Sequence, residues 1–375
     1  MLDLKKRILR NKAFKILRRR RKKKKLNKKS TKKCLEFKRT VTCPRYIKRN
    51  AEFKSNIQKI KKGRFVIDGQ TYDNKLTAPP VFSLLKNPEA VITFINMLNS
   101  NLKNRKSTFV DLFNVKFIEH DAIVLLLALM VLFKNKNIKF EGSKPNDNEC
   151  RIKLQESGFF HYLYKGHSFP FNKSADNFIR ESGKLTEGEK AQEVIDFATE
   201  RIWKQRKLSK GVYKILMELM QNTHSHASTD EEGKHHWWLN VNYMNDKACF
   251  SFFDYGVGIF TSLKNKKNGS KFYNALDNLQ KIFKSENNAE NLKLILEGKL
   301  HKTSTNKSYR GKGLPGMKDT LDRNLISNLH VITNDSYANV VNNEYRTLKC
   351  SLKGTFLYWE LTINNIVHDE KIKSN

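Results

Sequence analysis

The sequence predicts an α+β chain with a basic extension (residues 1–50), a small α/β domain (51–175) and a larger domain (176–370) of helices followed by a sheet. Three observations carry this. The 375 residues, 39% of them hydrophobic, supply enough apolar material for two cores at roughly 100–200 residues per domain. Apolar spacing between Asn87 and Ser157 switches between helix and strand periods in alternation. Beyond residue 185, two helical patterns precede a series of short apolar strands.

In chain order, Val91, Ile92, Phe94, Ile95, Leu98 and Leu102 fall at helical spacing and predict a helix over Asn87–Leu102. Thr108–Leu112 reads as a buried strand, Asp121–Lys134 as a buried helix, Ile138–Gly142 as a strand and Asn146–Ser157 as a helix. The run Ile123–Phe133 is apolar on every side but too short to span a bilayer. Residues 166–185 read as a linker. Leu185–Trp203 and Lys210–His226 read as helices, and Trp237–Tyr243 and Ala248–Asp254 as adjacent strands. Tyr273–Gly298 reads as a polar helical region and Met317–Arg323 as a helix. Leu329–Thr333, Tyr345–Leu352 and Thr355–Ile363 read as strands. No internal repeat is evident.

The net charge of +35 is concentrated at the N-terminus. Residues 1–50 hold 23 Lys/Arg against 2 acidic residues, a balance of +21. Like charges at that density repel and stay solvated, so disorder is expected there, with a short basic helix over Leu2–Arg20 as one option. The tail is either a plain solvated extension or a docking element for nucleic acid or an anionic surface, with salt-sensitive binding of low sequence specificity. The five cysteines include no CxxC pair, which points to a reducing compartment without a disulfide framework or zinc site. No secretory signal and no transmembrane segment are read, so the expected location is cytoplasmic.

Three motifs carry the chemistry. Glu218-Leu219-Met220-Gln221-Asn222 lies on the second predicted helix, where residues four apart share a face. That face can present a carboxylate and an amide oxygen to one ligand. An amide oxygen suits Mg²⁺, which takes hard oxygen ligands and keeps several waters. The carboxylate can act as a general base toward water. Asp254-Tyr255-Gly256-Val257-Gly258 closes an apolar strand. An ionised carboxylate only accepts hydrogen bonds, so Asp254 favours the amine of adenine over the keto oxygen of guanine. Arg310-Gly311-Lys312-Gly313-Leu314-Pro315-Gly316 leads into a helix, where free backbone N–H groups suit phosphate oxygens. It matches neither the P-loop nor the Rossmann fingerprint. His224 and His226, an HxH pair with no third ligand nearby, make a poor metal site.

In this order, with Gly354-Thr355 after them, the motifs resemble the ATP-binding (Bergerat) fold of the group that includes gyrase, the ninety-kilodalton heat-shock chaperones, histidine kinases and MutL (GHKL). The resemblance implies a mixed sheet with helices on one face and a mobile lid over about Leu263–Lys307. It implies ATP and Mg²⁺ as cofactors, Glu218 as the catalytic residue and Asn222 as the magnesium ligand. It further implies nucleotide contacts from Asn222, Asp254, Gly256, Gly258, Gly311, Lys312, Gly313, Leu314 and Thr355. Pro315 offsets the third glycine of the loop by one position, to Gly316.

The preceding domain resembles STAS-like domains, which often accompany this ATPase fold in bacterial proteins. Ile118-Glu119-His120-Asp121-Ala122 lacks the serine of their phospho-switches, so a scaffold or protein-contact role is expected. His120-Asp121 is the nearest match to a histidine-kinase phosphoacceptor, and no proline follows it. The sequence therefore leaves three functions open. The first is a slow Mg-dependent ATPase acting as an ATP-gated switch on a protein partner, reached through the STAS-like domain or the lid. The second is a protein Ser/Thr kinase resembling anti-sigma kinases. The third is a nucleic-acid-associated regulatory ATPase that docks through its tail. A homodimer is among the assemblies compatible with each.

Overall fold

The computed structural model describes residues 58–60, 64–160, 177–181, 188–226, 237–264, 287–299 and 313–366, with the side chains of 58–60, 177–181, 222–226 and 263–264 left aside. The expectations for residues 1–50, most of the linker over 166–185, most of the lid, and Gly311 and Lys312 therefore lie outside the described residues. The described part of that linker, Asn177–Glu181, is a strand paired in the large sheet, which corrects the linker reading there.

The chain divides after Thr71 into a small N-terminal unit and a large unit over Tyr72–Asn375. Strands β1 (Gln58–Ile60) and β2 (Arg64–Ile67) pair antiparallel in a small sheet completed by β3 (Gln70–Tyr72).

The large unit is α+β. Its first part carries β4 (Asn74–Thr77), β5 (Val81–Phe82), α1 (Pro88–Lys103), β6 (Thr108–Asp111), β7 (Phe117–Ile118), α2 (His120–Asn135), β8 (Phe140–Gly142) and α3 (Asn148–Glu156). Strands β4, β6 and β8 form a parallel sheet with β6 central. Helix α1 starts with Pro88, whose missing N–H costs nothing in a first turn. Helix α3 is capped by the Asp147 side chain, which accepts from Cys150 N at 2.9 Å.

The second part holds β9 (Asn177–Glu181), α4 (Gly188–Trp203), α5 (Lys210–His226), β10 (Trp237–Tyr243), β11 (Lys247–Asp254), α6 (Ile259–Lys264), α7 (Asn288–Leu296), α8 (Gly313–Asp322), β12 (Ser327–Asn339) and β13 (Glu344–Thr362). The sheet order is β12-β13-β11-β10-β9, and every described ladder is antiparallel. This corrects the expected mixed sheet. β10–β11 and β12–β13 are joined by turns too short for the crossover that parallel strands require.

A second correction concerns the faces of this sheet. One face packs on α4, α5, α7 and α8 through Trp237, Leu239, Phe250, Phe252, Val331, Leu357 and Trp359. The other face packs on α1 and α2 through Trp238, Phe253, Ile332 and Phe356. Helices therefore cover both faces rather than one. Neighbouring residues such as Trp237 and Trp238 point opposite ways along a strand, and both are buried. The same packing explains why α2 is apolar all round: it contacts β8 on one side and β10 and β11 on the other.

Four element assignments also differ. β12 runs over Ser327–Asn339 where Leu329–Thr333 was expected. β13 runs unbroken through Gly354, where two strands were expected, because a bulge absorbs the glycine. α8 begins at Gly313 rather than Met317, since Pro315 is tolerated in a first helical turn. Within the expected mobile lid, α7 is a packed helix whose Leu292, Ile295 and Leu296 are buried.

Candidate functional site

Strand β11 ends at Asp254, opposite Trp237 on β10 and Thr355 on β13, and Thr355 in turn faces Thr333 on β12. Strand alternation puts Asp254, Thr355 and Thr333 on the same face as Phe252, Leu357 and Val331, the face that carries α5 and α8. Asp254 Oδ1 is buried and has no hydrogen-bond partner among the described residues. Burial alone pushes its carboxyl up to about 7. A buried acceptor without a donor is costly, and such groups concentrate where a ligand completes the set.

The loop after Asp254 is held from β12 by two residues that lie outside the three motifs. Thr333 Oγ1 accepts from Ile259 N at 2.9 Å and lies 3.2 Å from Thr355 Oγ1. Asn334 accepts from Phe260 N at 3.0 Å through Oδ1 and donates through Nδ2 to Val257 O at 3.1 Å and Thr261 Oγ1 at 2.9 Å. The Asn334 amide fills the space that a Cβ on Gly258 would occupy, 2.5 Å from its Oδ1, and Gly258 has φ +83°. Gly256 is buried in the same turn. Gly354 has φ +115°, and a Cβ there would overlap the Asp254 carbonyl oxygen. Glycine is therefore required at Gly258 and Gly354 by close approach as well as by dihedral. The signal for Thr333 and Asn334 was present in the polar run Thr333-Asn334-Asp335-Ser336, which interrupts an otherwise apolar strand.

Helices α5 and α8 cross closely. A Cβ on Gly211 would lie 2.7 Å from Leu325 Cβ and 3.0 Å from Thr320 Cγ2. One turn further along α5, Lys214 reaches back along α8: a Cβ on Gly316 would lie 3.2 Å from its Cε, and its Nζ is 3.4 Å from Asp319 Oδ2. The two helices thus run in opposite directions in register. Glu218 is half-buried. Asn222 follows one turn later on α5, and its side chain lies outside the described residues, as do Gly311 and Lys312.

The structure thus joins Asp254 and Thr355 across adjacent strands and seats Gly256 and Gly258 in the turn between β11 and α6. Glu218, Gly313 and Leu314 lie on the helices that cover the same sheet face. Among the described residues no three His, Cys, Asp or Glu side chains cluster as a metal site. A magnesium ion carried by phosphates needs only one or two protein oxygens, so an amide such as Asn222 is chemically sufficient. His120 is 6% exposed in the first turn of α2, too buried to receive a phosphoryl group in this conformation. Among the described residues no helix is long and apolar enough to cross a membrane.

No protein-family model matches the chain, and no curated protein is similar to it in sequence.

Proposed function

We propose that this chain is an ATP-binding protein of the GHKL type, a slow Mg-dependent ATPase that acts as an ATP-gated switch on a protein partner. The observation that carries this is the buried, unpartnered Oδ1 of Asp254 at the end of a central strand. It stands beside Thr355 and ahead of a two-glycine turn. In this reading the Asp254 carboxylate accepts from the exocyclic amine of adenine. Thr355 and Thr333 line the same side of the base. Gly313 and Leu314 offer first-turn N–H groups of α8 to phosphate, where the helix dipole favours negative charge. Asn222 would hold the magnesium ion, which neutralises phosphate charge when bound. Glu218 polarises water for attack on the terminal phosphate. The sheet with α4, α5, α7 and α8 then corresponds to a Bergerat-type layer. The part containing α1, α2 and the parallel sheet corresponds to the STAS-like module.

Calorimetry of the full chain with Mg-ATP and Mg-GTP tests the proposal. Uptake of ATP in preference to GTP, lost in Asp254→Ala, is the expected result. Turnover of ATP by the protein alone, abolished in Glu218→Ala with binding retained, separates an ATPase from a kinase that awaits its substrate. Absence of ATP uptake by the wild-type chain refutes the assignment.

A further inference from the structure

Residue Tyr255 sits inside the motif that turns β11 into the glycine loop, directly after Asp254. Its hydroxyl donates to Oδ1 of Asn99 on α1. Its ring makes an edge contact with Phe253, centroids 6.0 Å apart, and lies 4.8 Å beneath Lys353 Nζ. Burial pushes the phenol up to about 12, so the hydroxyl stays a donor at any physiological pH.

Helix α1 is laid along β13 at three further points. Lys349 N donates to Glu89 Oε1 at 3.4 Å, Cys350 Sγ lies 3.5 Å from Glu89 O, and Asn96 Nδ2 donates to Ser351 O at 2.8 Å. From Glu89 to Asn99 the helix advances about 15 Å at 1.5 Å per residue. From Lys349 to Lys353 the strand advances about 13 Å at 3.3 Å per residue. The two elements therefore run alongside each other, and the track ends where Lys353 and Asn99 meet Tyr255. The next residue, Gly354, is packed against the Asp254 carbonyl. The end of α1 and the carboxylate-bearing end of β11 are thus fastened together by one side-chain hydrogen bond next to a bulge.

We propose that Asn99 is a positioning residue which, through Tyr255, sets the aim of the Asp254 carboxylate and couples the α1 layer to occupancy of the nucleotide site. This deepens the ATP-binding reading and rests on it. In this arrangement a ligand that draws Asp254 into a hydrogen bond tightens the Tyr255–Asn99 link and quiets α1. A partner that shifts α1 releases Asp254 and weakens nucleotide binding by the same factor, as linkage requires. The helix opposite the catalytic layer then serves as the output of the switch.

The test uses the full chain, with hydrogen–deuterium exchange over Pro88–Lys103 measured with and without Mg-ATP. Calorimetry is run on wild type, Tyr255→Phe, Asn99→Ala and Asn99→Asp. The expected result is slower α1 exchange on ATP addition. Tyr255→Phe and Asn99→Ala should each lose about tenfold in ATP affinity and lose the α1 protection, with melting temperatures close to wild type. Asn99→Asp keeps an acceptor for the Tyr255 hydroxyl and should restore both readouts. If wild type binds ATP but α1 exchange does not change, or Tyr255→Phe binds as tightly as wild type, the coupling is overturned while the nucleotide assignment stands. If wild type takes up no ATP, both are overturned.

Discussion

Asp111 and Asp254 each close an apolar strand, and their surroundings are opposite. Asp111, at the end of β6, faces the cost of burial and offsets it three ways. Lys75 Nζ lies at 2.8 Å, Ser143 Oγ donates at 2.7 Å and Phe113 N donates at 3.0 Å. Those contacts outweigh desolvation and hold its carboxyl below the ordinary range. Asp254, at the end of β11, meets the same cost with nothing to offset it at Oδ1, and its carboxyl is pushed up to about 7. A carboxylate whose donors all come from its own fold acts as a structural tie. In the proposed reading, one that the fold desolvates and leaves without a donor at Oδ1 is held ready for a ligand that brings one.

The largest effect expected from this contrast is on nucleotide affinity. Asp254→Ala should lower Mg-ATP affinity by about 100-fold or more, since an unpaired buried amine on the ligand costs roughly 1–3 kcal/mol and the lost charged bond adds to it. Asp111→Asn should leave affinity within about twofold, read by the same calorimetric titration. Equal losses in the two variants would erase the distinction. Next comes the backbone that shapes the site. Gly354→Ala should destabilise the protein by about 3 kcal/mol in urea unfolding, because its Cβ meets the Asp254 carbonyl as well as an unfavourable φ. Gly69→Ala, at φ +72° in open space, should cost only about 1 kcal/mol. A Gly354 variant as mild as the Gly69 variant would show that β13 is free to move away from β11.

Smaller effects on the unliganded protein should have opposite signs. Asp111→Asn should destabilise by about 1–3 kcal/mol, because it keeps the Oδ1 acceptor of Ser143 and Phe113 but sets an amide NH2 against Lys75 in place of the carboxylate oxygen. Asp254→Asn should stabilise at pH 7 and above, because it removes a buried charge without a partner at Oδ1. The smallest expected effect is in pH dependence. The Asp254 carboxyl is raised from its usual 3.8 to about 7. Its contribution to stability is therefore fully present below about pH 4 and lost as pH rises through about 7. That of Asp111, lowered in the folded state, is present above about pH 4 and lost as pH falls below it. Thermal melts of wild type and Asp254→Asn at pH 5 and pH 8 should converge at the lower pH and separate at the higher. Parallel melts would mean that Asp254 is not desolvated.

The elements that sequence patterns located well are those whose periodicity is set by one packing partner. The stripe Val91, Ile92, Ile95, Leu98 of α1 is a plain case; β10, buried on both faces, shows no such alternation. The candidate-site residues that the motifs singled out were those with strong local chemistry, Asp254 with its glycine turn and Glu218 on its helix. Thr333 and Asn334 were legible only as a polar interruption of an apolar strand, because their hydrogen bonds go to residues more than seventy positions earlier in the chain. Asn99 was missed for the same reason: its partner Tyr255 lies 156 positions away.

Composition and spacing alone determined the alternation of helices and strands, the buried character of Ile123–Phe133, the concentration of charge in residues 1–50 and the presence of the three motifs. Each of these depends on residues that are neighbours along the chain. Tertiary structure alone decided that α2 packs against strands on both its sides and that β13 continues through a bulge at Gly354. It also decided that Asp254 Oδ1 is buried without a donor among the described residues while Asp111 has three partners. Burial and hydrogen-bond satisfaction are properties of what surrounds an atom in space, and those surroundings come from segments that no local pattern connects.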